Sequence, residues 1–140
     1  MADNATSPGA RPRPLSPHLQ IYHWPPTMAT SIVHRATGVA LTAGMALMAW
    51  WLMALATGPG AYAFFTSLVY TPLGQLVVVA FLWSITFHAL NGLRHLVWDI
   101  GYGFAPSTAN RISVAIILLS VLITAGVFML GYLALHGGMP

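Results

Sequence analysis

"LGQLVVVAFLWSITFHALNGLRHLVWD", residues 73–99, decides the fold class of this chain. Its first fifteen residues, Leu73–Phe87, carry no charge and one amide, Gln75. Its last twelve hold two histidines, an asparagine, an arginine and an aspartate. A run this long and this apolar matches the roughly 20 residues that a helix needs to cross the hydrocarbon of a bilayer. The polar residues at its end must then lie inside the membrane or at its edge. An ionisable group inside the membrane is by default a candidate functional site.

The rest of the chain agrees. Of 140 residues, 57% are hydrophobic and 5% charged. Soluble domains carry about a quarter charged residues, so this surface is made for lipid. Two more runs reach spanning length, from about Ser31 to Ala56 and from about Ile112 to Leu135. The expectation is an all-α integral membrane protein of three transmembrane helices (about 31–56, 73–98 and 112–135), forming one unit over residues 31–140 behind an N-terminal segment, 1–30. "TGPGAYAFFTSLVYTP" and "DIGYGFAPSTANR" read as the connecting loops. The start, "MADNATSPGARPRPLSPH", has no apolar opening and no amphipathic Arg-rich pattern, so neither a secretory signal nor a mitochondrial transit peptide is expected.

The arginines set the orientation. Arg11, Arg13 and Arg35 precede or enter the first span, and Arg94 and Arg111 flank the second connection. Positive residues favour the cytoplasmic side, which puts the N-terminus and second loop in the cytoplasm and the C-terminus in the periplasm. Trp24, Trp98 and Tyr102 then mark the inner interface; Trp50, Trp51, Tyr62 and Tyr70 mark the outer one. Cysteine is absent, which excludes iron–sulfur ligation and covalent haem attachment by this chain. No basic run points to nucleic acid.

Helical phase sorts the polar residues of the second span. Positions four and seven apart share a helix face, so Ser84, His88, Gly92, His95 and Asp99 form one polar or small stripe, with Asn91 at its edge. His88 is the deep member, about 9 Å further in than Arg94 at a rise of about 1.5 Å per residue. A neutral imidazole beside the gap left by Gly92 suits axial ligation of haem iron. Hydrogen bonding to a neighbouring helix, or a place in a proton pathway, are the other roles open to it. Arg94, His95 and Asp99 read as the interfacial end of the helix, with Arg94 as an anchor. On the first span, Ser31, Arg35, Gly38 and Thr42 share a face. Arg35 offers a fork of donors suited to a carboxylate or a polarised carbonyl, or serves only as an orientation signal. Ala36, Ala40 and Gly44 read as a packing ridge. Trp24 in "HWPP" is either an interfacial anchor or an aromatic wall.

Two stretches resemble a known family. "RPLSPHLQIYHWPPTMATSIVHRATG", residues 13–38, is similar to the first signature of the cytochrome b membrane-anchor subunit of succinate dehydrogenase, at Arg13, Pro14, Ser31, His34, Arg35 and Thr37. "HALNGLRHLVWDIG", residues 88–101, resembles the second, at His88, Gly92, Arg94, His95, Trp98 and Asp99. The three-span layout matches as well. The resemblance implies that His88 ligates the iron of one haem b, shared with a second hydrophobic anchor subunit that supplies the other ligand. It implies that Ser31 and Arg35, and more weakly Trp24, border a ubiquinone site, and that His34 and Arg35 lie near the haem propionates. The implied partners are a flavoprotein and an iron–sulfur subunit, which oxidise succinate; this chain does not do so by itself, but passes the electrons to quinone. The implied location is the bacterial cytoplasmic membrane, or alternatively the mitochondrial inner membrane. A haem-free structural anchor of the fumarate reductase type and a small proton-conducting subunit are the alternatives.

Overall fold

The computed structural model describes residues 22–136, excluding the side chain of His136. Arg11, Arg13, Pro14 and the first part of the 1–30 segment lie outside the described residues. Four helices follow in order: α1 (Pro26–Thr57), α2 (Pro59–Val69), α3 (Pro72–Asp99) and α4 (Pro106–His136). Each begins on a proline, whose fixed φ and missing N–H suit a first helical turn. Helix α1 stops at Gly58, whose φ of 124° favours glycine. The Thr71 hydroxyl caps α3 by accepting from the Gly74 amide at 3.0 Å.

Helices α1, α3 and α4 are each long and apolar enough to cross a membrane. At about 1.5 Å per residue they reach roughly 40–50 Å, beyond the ~30 Å hydrocarbon. Their ends therefore project past it or the helices tilt. The expected first loop is instead largely the helix α2. Gly58 and Pro59 look like loop punctuation, yet they end one helix and start the next. At 11 residues α2 is too short to span. It packs by its Phe65 edge-on to Trp50, with ring centroids 5.0 Å apart. The spans also start earlier than the charge pattern suggests, so that Thr27, Thr30 and Asn110 belong to the bundle.

The bundle's interior is mostly small and polar. Thr30, Thr37, Ser84, Asn91, Arg94, Ser113, Ser120 and Thr124 are buried, against Ala54, Phe65, Phe87, Ala109 and Ile116 as the apolar members. Leucine, valine and isoleucine face outward along all three spans. Lipid tails are as apolar as these side chains, so there is no hydrophobic gain in burying them; small residues and interhelical hydrogen bonds hold the helices together instead. On α1 the buried residues Thr30, Thr37 and Gly44 recur every seventh position, and a Cβ on Gly44 would overlap the ring of Phe81. Ala36 and Ala40, expected beside Gly44 on the packing ridge, are exposed.

Cross-links set the register. Thr27 donates to Asn110 Oδ1 at 3.2 Å and Thr30 to Ser113 Oγ at 3.4 Å, so the early turns of α1 and α4 run side by side. Trp83 Nε1 donates to Ser120 at 3.1 Å across α3 and α4. The C-terminal half of α3 thus lies against the N-terminal halves of both α1 and α4.

Candidate functional site

That register assembles the polar residues of the two singled-out stretches at one end of the bundle. His34 from α1 stacks on His88 from α3, with ring centroids 4.0 Å apart and planes 24° from parallel. His95, two turns on from His88, brings its centroid to 5.3 Å from His34. Asn91 Nδ2 reaches His95 Nε2 at 3.4 Å. Among the described residues no three histidine or acidic side chains converge as a multidentate metal site.

His88 is half-buried and rests one edge on α1. Its Nδ1 lies 3.2 Å from the hydroxyl of the buried Thr37. Its Cε1 faces Gly38, where an added Cβ would sit 3.4 Å away. The imidazole edge therefore lies against α1 at Gly38, at a distance where an added methyl would be in ordinary contact. Gly92, one turn further along α3, faces open space: a Cβ there meets nothing within 4 Å. His34 Nε2 is buried with no hydrogen-bond partner among the described residues, and such a group normally has one.

Arg94 corrects an expectation. It does not reach outward as an interfacial anchor but is 4% exposed, folded into the junction of α1, α3 and α4. Its Nη1 donates to Thr30 Oγ1 at 3.1 Å and to Ser113 Oγ, and its guanidinium lies over the ring of Trp98 at 4.5 Å. All three partners are neutral, so the junction keeps a positive charge. Helical phase explains the inward turn. With His88 as zero, Arg94, Phe87, Asn91 and Ser84 fall at about 240°, 260°, 300° and 320°, one continuous sector. All four are buried. Gly92 and Asp99 fall at about 40° and 20°, outside that sector. The stripe read from the sequence is thus the margin of the buried face, not its centre.

The remaining predicted residues are not drawn into this cluster. Ser31 is half-buried, Arg35 is exposed one turn later on α1, and Trp24 is 63% exposed just ahead of the helix. No hydrogen bond or ring contact joins these three among the described residues. Asp99 is exposed at the end of α3 and is not the partner of Arg94. Thr30, Ser113 and Ser120 carry structural roles that sequence reasoning missed. Their signal is small polar residues at a spacing of seven, Ser113 and Ser120, in the third span.

Fold and site define a helical membrane protein of three spans, with an imidazole cluster between the first two and a buried arginine tying in the third. Residues 9–128 match the family model described as succinate dehydrogenase/fumarate reductase transmembrane subunit. The chain is 46% identical over 111 residues to the succinate dehydrogenase cytochrome b556 subunit of Paracoccus denitrificans, covering 79% of this chain and 85% of that one. It is 42% identical over 119 residues to the mitochondrial cytochrome b560 subunit of Bos taurus, covering 81% and 69%. It is 40% identical over 112 residues to the cytochrome b556 subunit of Rickettsia felis, covering 80% and 87%. The chain belongs to the succinate dehydrogenase/fumarate reductase transmembrane subunit family.

Proposed function

We propose that this chain is the cytochrome b anchor of a succinate:quinone oxidoreductase, with His88 as an axial ligand of a b-type haem. The observation that carries the proposal is the His88 environment. Its Nδ1 is engaged by Thr37, which leaves Nε2 for iron, and Gly92 opens the surface one turn away. The orphaned, buried Nε2 of His34 suits a carboxylate such as a haem propionate. These residues fit a haem. Held there, it supplies a one-electron carrier.

The chain's own residues have separable tasks. His88 holds the iron from one side. A second ligand would come from another hydrophobic subunit, as the resemblance to the family implies. Arg94 keeps a fixed positive charge at the α1–α3–α4 junction, where the neutral hydroxyls of Thr30 and Ser113 hold it. Ser31 and Arg35, on the outward side of α1, orient a ubiquinone carbonyl and stabilise negative charge as it is reduced; Trp24 borders that site. Their exposure in the isolated chain leaves room for an iron–sulfur subunit to close the site. A flavoprotein subunit completes the complex on the same side of a bacterial cytoplasmic, or mitochondrial inner, membrane.

Purification of the tagged chain from membranes tests this reading. The expected product is a red complex with a b-type haem spectrum, a flavoprotein and an iron–sulfur protein. A colourless complex with those subunits would leave a haem-free anchor, and a chain without them would contradict the assignment altogether.

A further inference from the structure

We infer that Thr37 is a positioning residue that selects the tautomer of His88 and tunes the haem held there; this rests on the haem reading above. Thr37 is 3% exposed and its hydroxyl has two neighbours. It donates to the His34 carbonyl one turn back at 2.9 Å, and it lies 3.2 Å from His88 Nδ1. A hydroxyl has a single proton. With that proton on the His34 carbonyl, Thr37 Oγ1 is left as an acceptor, and His88 Nδ1 must carry the hydrogen. The other ring nitrogen, Nε2, then bears the lone pair. That is the tautomer a metal ligand needs, and a hydrogen bond from its second N–H fixes ring orientation and raises ligand basicity.

Three features make this a built contact rather than a chance approach. The hydroxyl is buried, so water does not compete for it. Gly38, the next residue, has no side chain, and the imidazole edge settles against α1 beside the hydroxyl. The threonine is also itself held by its own helix through the His34 carbonyl, and His34 is the residue whose ring stacks on His88. The backbone of one cluster histidine thus determines, through one hydroxyl, which nitrogen of the other is free.

A more basic imidazole favours ferric over ferrous iron, so removing the hydroxyl raises the haem midpoint potential. Losing an outer-sphere partner typically changes metal binding 10- to 100-fold. Taking about tenfold in the ferric-over-ferrous preference, the shift is about 59 mV for a one-electron couple. The experiment is a potentiometric titration of the haem in the intact complex for wild type, Thr37→Val and Thr37→Ser. The valine variant is expected to titrate at higher potential and the serine variant close to wild type. Thr37→Ala removes the same hydroxyl with less bulk and gives the reading if the valine variant does not assemble. Haem-loaded valine or alanine variants at the wild-type potential overturn the role of Thr37. So does a shift to lower potential, which means that the hydroxyl donates to Nδ1. Absence of haem from the wild-type complex overturns the haem reading itself, a distinguishable result.

Discussion

Replacing Gly92 by leucine separates what the chain requires from what a bound flat ligand requires. Within the chain the first carbon of the new side chain is unobstructed. Gly92 lies inside α3, and a Cβ there meets nothing within 4 Å. Leucine exceeds glycine in helix propensity by about 0.6–1 kcal/mol, so the isolated helix gains by that amount. A loss already present in Gly92→Ala must therefore come from something packed on that surface. If a haem plane covers it, an isobutyl group forces the plane or the helix to move, and misfit of this kind costs about 1–3 kcal/mol. That is roughly a 5- to 150-fold loss of haem affinity. The assay is haem content per complex by extracted haem spectrum, beside subunit composition by gel and thermal stability by size-exclusion recovery. The expected result is an assembled complex, depleted in haem, with Gly92→Ala intermediate. Full haem content with an unchanged spectrum in Gly92→Leu would refute the reasoning. Loss of a partner subunit along with the haem would assign the gap to a helix rather than to the haem.

Two other outcomes follow from the geometry. Arg35→Ala should lower quinone-coupled turnover about 10- to 100-fold, as expected for losing a charge-assisted hydrogen bond worth about 1.5–3 kcal/mol, while dye-coupled succinate oxidation stays unchanged; equal loss of both activities would point to assembly instead. Arg94→Lys should lower bundle stability by about 1–2 kcal/mol, because a single ammonium loses the flat contact with Trp98 and one of its two hydroxyl partners; an unchanged thermal midpoint in detergent would count against the clamp.

The three spans and the one-sided placement of polar residues were legible because lipid leaves a direct trace in composition: long apolar runs, with ionisable groups only near their ends. His88 stands out in the sequence by its depth, and Gly92 by its spacing from it; the haem role given to them is a proposal. Helix α2 was not legible, because Gly58 and Pro59 look the same in a loop as in a break between two helices. Arg94 was misread because charge was weighed without helical phase: its azimuth matches Phe87 and Asn91, not the His88 stripe. The serines of α4 were passed over for a related reason. In a membrane bundle the interior is marked by small polar residues, and Thr30, Thr37, Ser113 and Ser120 carry no charge to draw the eye. The stacking of His34 on His88 depends on the register between α1 and α3, which no single-helix pattern contains.

The central claim is that His88 holds the iron, and a reduced-minus-oxidised optical spectrum of the complex carrying His88→Ala tests it most directly. The account predicts that the b-type haem band of the wild-type complex is lost or displaced, while dye-coupled succinate oxidation by the catalytic subunits persists. A haem spectrum identical to wild type in an assembled His88→Ala complex would contradict it.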